Sequence, residues 1–98
     1  MNIQNNDNSN SQLVKQVLIE VLGVDLKQFD DEVPLRYIHG FRYDSMTVLE
    51  CVGVIEEKFG IDINLLDDDL VHTFESVATI QILVQKKLDD QQSLSNSW

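Results

Sequence analysis

With Cys51 as its only cysteine, this chain can form no internal disulfide, and one thiol with two distant histidines, His39 and His72, makes no zinc site. Basic residues are scarce too. Seven lysines and arginines stand against seventeen aspartates and glutamates, a net charge of −10. Phosphate backbones call for clustered basic side chains, so nucleic acid is excluded as a ligand. Docking on an anionic membrane surface is excluded for the same reason. No apolar run reaches the length of a membrane span, and the first ten residues lack the charged-then-apolar order of a secretory signal. The expectation is a soluble, cytoplasmic protein that meets basic patches on other proteins. There is no G-x-S-x-G elbow, and a domain this small offers little room for a substantial pocket, which argues against a serine hydrolase. "DINLLDDDL" lacks the EF-hand spacing and its glycine, so Asp67, Asp68 and Asp69 read as a solvated turn at a helix start.

What remains is one domain. Residues 1–10, "MNIQNNDNSN", and 89–98, "DDQQSLSNSW", carry too little apolar surface to offset the entropy of ordering them, and are expected to be disordered tails. Residues 11–88 are the fold, near the lower size limit for a core without staples. Apolar residues recur at helical spacing in three places. Val14, Val17, Leu18 and Val21 mark residues 12–22, with Ser11 to cap the start and Gly23 to end it. Val77, Ile80, Val84 and Leu88 mark 75–88, with Thr73 as a candidate cap and Lys86 and Lys87 suited to the negative end of the helix dipole. A third segment, 45–59, ends at Gly60. The connection over 24–43 holds Leu26, Phe29, Val33, Leu35, Ile38 and Phe41, too apolar for a free linker, and reads as a loop pinned across the helices. A short helical turn is expected over 65–71. Only the brief "IDI" at 61–63 alternates, so the chain is all-α, a small bundle of three main helices and a short one.

At 100° per residue the central segment separates into two apolar faces. Val48, Cys51, Val52, Ile55 and Phe59 form the core stripe, which makes Cys51 a buried, inert thiol. Met46, Leu49 and Gly53 lie elsewhere, flanked by Glu50, Glu56 and Glu57. Two readings stand. These residues pack under the long connection, or they form a surface for a basic, partly apolar partner. The second stripe begins beside Ser45, which also has two readings. Ser45, like Asp44, suits a helix cap. It also suits an attachment point, since a phosphodiester there would lie at a helix N-terminus that favours anions.

"DSMTVLECVGVIEEKFGIDI", residues 44–63, resembles the central helix of acyl carrier proteins and the related peptidyl and D-alanyl carriers, on Asp44-Ser45-Met46, Glu50, Glu56-Glu57 and Phe59 in ungapped register. "VLGVDLKQFDDEV" (21–33) resembles the end of the first carrier helix, and "DDDLVHTFESVATIQILV" (67–84) the acidic turn and last helix. The resemblance covers residues 12–88. It implies a four-helix carrier domain with a long first loop, bearing 4′-phosphopantetheine on Ser45. It implies a phosphopantetheinyl transferase that takes this arm from coenzyme A with magnesium, with Asp44 aiding recognition. The arm's thiol would hold an acyl or aminoacyl group as a thioester, and the chain, no enzyme itself, would present it to loading and condensing enzymes. Met46, Leu49, Glu50, Gly53, Glu56 and Glu57 would form the face that meets basic patches on those enzymes, and the carrier would be a freestanding monomer.

Some positions depart from the family pattern. The glycine pair, or leucine-glycine, that usually precedes Asp-Ser is replaced by Phe41-Arg42-Tyr43, with Gly40 displaced. Large side chains are therefore expected to crowd the serine, and Arg36, His39 and Arg42 to place positive charge beside it. Asn64 stands for the usual proline, Leu65 and Leu66 read as an insertion, and Gly53 replaces a large apolar contact residue. These departures point to a specialised polyketide or nonribosomal-peptide type pathway, with fatty-acid synthesis or D-alanyl transfer as the alternatives. A competitor of another class is an unmodified acidic interaction module.

Overall fold

The structure, a computed structural model, describes residues 5–64 and 69–96, and side-chain surroundings over 9–64 and 69–91. Among the described residues five α-helices follow one another: α1 (Asn5–Leu22), α2 (Leu35–His39), α3 (Ser45–Phe59), α4 (Leu70–Thr73) and α5 (Val77–Asn96). Single 3-10 turns lie at Leu26–Gln28 and Gly40–Arg42. Among the described residues there is no strand; "IDI", with Ile61 and Ile63 buried and Asp62 exposed, joins no sheet. The fold is a small all-α bundle. No helix of the described residues is long and apolar enough to cross a membrane.

α1 packs against both α3 and α5, and the expected stripes meet there. Val14, Val17, Leu18 and Leu22 join Cys51, Val52 and Ile55 with Val77, Ile80, Leu83 and Val84 in one buried core. α1 and α5 reach further than their apolar stripes, to Asn5 and Asn96, because adding a residue to a nucleated helix costs little even for Asn and Ser. Among the described residues the buried ones nonetheless begin at Val14 and end at Val84. Trp98 and the insertion Leu65-Leu66, with Asp67 and Asp68, lie outside the described residues. Of the short turn expected over 65–71, residues 65–68 lie outside the described residues, and the rest falls at the start of α4, Leu70–Thr73.

Two capping expectations need correction. Thr73 is the last residue of α4, and the start of α5 is closed instead by Ser76 and Thr79, whose side chains each accept the other's backbone N–H at 3.3 and 3.0 Å. Lys86 and Lys87 lie within α5 rather than at its end, because the helix continues to Asn96.

The long connection is more ordered than a loop. Pro34 and Gly40 bracket α2, the proline with φ preset for helix entry and the glycine at φ 71, which ends the helix in a conformation that a side chain would strain. The connection is pinned at three points. Lys15 Nζ reaches Asp31 at 2.7 Å, Ala78 N–H donates to the Asp31 carbonyl at 2.9 Å, and Leu35 N–H donates to the Glu75 carbonyl at 2.8 Å. Leu26 and Leu35 enter the core. These ties hold α2 and the following turn against the start of α5, and so position everything that precedes α3.

Candidate functional site

α3 begins where the second apolar stripe begins. Asp44 has extended backbone and is the cap; its Oδ1 accepts the Thr47 backbone N–H at 3.0 Å. Of the two candidate caps it is therefore the aspartate that serves, and Ser45 is the first helical residue. Thr47, which the sequence reading passed over, closes the turn from the other side by donating its hydroxyl to the Arg42 carbonyl at 2.6 Å. An aspartate three residues before a threonine is the pattern that could have revealed it. The N–H of Thr47 holds the Asp44 carboxyl below the usual carboxylate range, so it is ionised at neutral pH. Ser45 is exposed, and its hydroxyl has no hydrogen-bond partner among the described residues. It is free for substitution.

Beside Ser45 lies a cavity of about 380 Å³ between α2, α3 and α4, whose walls include Tyr43, Val48, Leu49, Val71 and Phe74. Tyr43 alone of the three bulky residues turns inward, donating its hydroxyl to the Phe74 carbonyl, and burial pushes its phenol well above the usual range. Phe41 is fully exposed and Arg42 points to solvent, so the crowding expected from Phe41-Arg42-Tyr43 reduces to one ring that forms a wall. Arg36 lines the cavity; His39 and Arg42 do not. No sequence periodicity marks this space, because its walls come from three separate segments, at Arg36, 43–49 and 70–75. His72 pairs with Asp69 at 2.6 Å on α4, a bond that raises the histidine's pKa and lowers the aspartate's.

The second stripe is on the surface. Met46 is 76% and Leu49 49% exposed, and Glu50, Gly53 and Glu57 are exposed with them, so Met46 does not pack under the connection. A Cβ on Gly53 would meet nothing within 4 Å. Glu56 is placed differently. It is half-buried, and its Oε2 accepts the Ile63 backbone N–H at 2.8 Å, which ties the segment after α3 back onto the helix. Cys51 is fully buried, and its thiol is pushed up to about 12 by burial and then by the Glu50 charge.

A family model described as "Phosphopantetheine attachment site" matches residues 12–80. An acyl carrier protein of Helicobacter hepaticus is 36% identical over 64 residues, which cover 65% of this chain and 82% of that protein. An acyl carrier protein of Chlamydia caviae is 30% identical over 66 residues, 67% of this chain and 83% of that one. The matched span contains the cavity, the cap and both faces of α3. With the family model spanning most of the bundle and the relatives aligned over most of their own length, the chain belongs to the acyl carrier proteins, the family that bears a covalently attached 4′-phosphopantetheine.

Proposed function

We propose that Ser45 carries the 4′-phosphopantetheine arm and that the chain, without catalysing a reaction, shuttles acyl or aminoacyl intermediates among the enzymes of a specialised pathway of polyketide or nonribosomal-peptide type. The observation that carries this reading is the free, exposed hydroxyl of Ser45 at the first position of a 15-residue helix. The residues fit the group: Asp44 completes the cap without using the serine, and open space lies beside the hydroxyl. The arm supplies a terminal thiol that holds cargo as a thioester.

Loading requires a phosphopantetheinyl transferase with coenzyme A and magnesium. The Ser45 oxygen forms the new bond to phosphorus as the pyrophosphate bond of coenzyme A breaks, and adenosine 3′,5′-bisphosphate leaves. Asp44, exposed and ionised beside the serine, supports recognition by that enzyme and its metal. Val48, Leu49, Val71 and Phe74 offer apolar cargo a wall away from water. Met46, Leu49, Glu50, Gly53 and Glu57 form the docking face for enzymes with basic, partly apolar patches, and Glu56 supports it from the edge. Tethering raises the effective concentration of the intermediate at each enzyme.

Intact mass after incubation with coenzyme A, magnesium and a broad-specificity transferase tests the reading. One added arm on the parent and none on Ser45→Ala is expected. A folded parent that stays unmodified overturns it in favour of an unmodified interaction module. The loaded protein then decides the pathway. The two relatives, named simply acyl carrier proteins, favour fatty-acid synthesis as the second reading. Acceptance of malonyl groups from the malonyl transferase of fatty-acid synthesis, with full elongation, would support that second reading. Charging by an amino-acid-adenylating enzyme would support a peptide-type or D-alanyl role.

A further inference from the structure

Both arginines of the chain, Arg36 and Arg42, fall among the nine residues that precede Ser45. Arg42 points to solvent at the end of a 3-10 turn. Arg36 is the single basic residue lining the cavity beside Ser45, and Asp44 and Glu75 line the same cavity. Its guanidinium nevertheless has no hydrogen-bond or ion-pair partner among the described residues. The neighbouring carboxylates are accounted for only in part. Asp44 is turned to the Thr47 N–H, and Glu75 makes no salt bridge among the described residues. Arg36 is exposed, so the unmodified chain holds a solvated cation at the edge of a mostly apolar space, with no counter-ion among the described residues.

A phosphodiester on the Ser45 oxygen adds a negative charge to a wall that already carries two carboxylates. We propose that Arg36 is the counter-ion of the arm's phosphodiester, its guanidinium binding the non-bridging oxygens of the phosphate on Ser45. This rests on the reading of Ser45 as the attachment point and adds to it a residue that holds the root of the arm. Guanidinium suits the task better than an ammonium would, because its planar fork engages two phosphate oxygens at once. α2 is anchored through Leu35, whose side chain is fully buried and whose N–H is bonded to Glu75. The arginine is therefore presented from a fixed backbone. Held in this way, the arm leaves Ser45 on the cavity side of α3. The exposed face of Met46, Glu50, Gly53 and Glu57 stays clear for partners.

The test uses isotopically labelled full-length protein before and after loading with coenzyme A and a broad-specificity transferase, with the mass recorded first. The Arg36 Nε–H resonance is expected to move on loading. The phosphorus resonance of loaded Arg36→Gln is expected to be displaced from that of the parent and to lose its dependence on sodium chloride. Loaded Arg42→Gln should keep the parent's phosphorus position, and Arg36→Lys should fall between. A loaded parent whose Arg36 signal does not move, with identical phosphorus spectra for parent and Arg36→Gln, overturns the inference and leaves the carrier reading intact. A parent that takes up no arm overturns both.

Discussion

Asp44 holds the first turn of α3 while the next residue keeps a hydroxyl that no described residue engages. This division has measurable consequences. Removing the Ser45 hydroxyl removes no cap, so Ser45→Ala should change stability by no more than about 0.5 kcal/mol in urea unfolding, as at an ordinary surface position. Asp44→Ala should lower the melting temperature at neutral pH, and Asp44→Asn should recover most of the loss because its amide oxygen still accepts a bond. The pH dependence follows from the direction of the shift. The Asp44 carboxyl is held below its unfolded range by the Thr47 N–H, so its contribution is complete above the ordinary aspartate pKa of about 3.9. It is lost as pH falls through the lowered value. The gap in melting temperature between parent and Asp44→Ala should therefore persist down to mildly acidic pH and close below the aspartate range. The Asp69–His72 pair has two signs. The histidine is raised, so its part is complete below about pH 6.5 and fades as pH rises through the raised value.

At the scale of elements, α3 has two edges that behave differently. On one, Glu56 accepts the Ile63 N–H, and Glu56→Ala should cost about 1–2 kcal/mol and speed amide exchange at Ile63, while Glu56→Gln keeps an acceptor and should change little. On the other, Gly53 sits mid-helix with open space where a Cβ would be. Gly53→Ala should stabilise the fold by about 0.5–1 kcal/mol in denaturant titration, since no neighbour obstructs it. A glycine kept there flattens the face that Met46 and Glu50 present. The bounds of α3 were readable because an apolar stripe of period 3.6 ran its whole length between Asp44 and Gly60. α2 carries no helical signal in the sequence. Five residues are too few for a period, although Pro34 and Gly40 already bracketed it. Sequence alone does not fix the cap of α5, because Thr73 and Ser76 are both capping types, and only the turn of α4 decides between them. The ends of α1 and α5 leave no mark in the pattern because polar residues carry no stripe.

Across the whole molecule, the core stripes of α1, α3 and α5 were legible because each buries one face in a common interior. The cavity beside Ser45 was not, since its walls come together only when the connection is pinned through Asp31 and Leu35. The exposed face of α3 could be drawn from the helical wheel, but not the turn of Glu56 toward Ile63, which depends on how the chain leaves Gly60. The chain has a single sulfhydryl of its own, Cys51, wholly enclosed and with its thiol pushed up to about 12. In the native state at neutral pH it should ignore maleimide, which reacts with thiolate. The arm-free protein should take no label until it is denatured, and then one. Native protein bearing the arm should take one label at once. Read by mass, that single label gives the wild-type chain an internal gauge of occupancy, with no need to engineer its cysteine away.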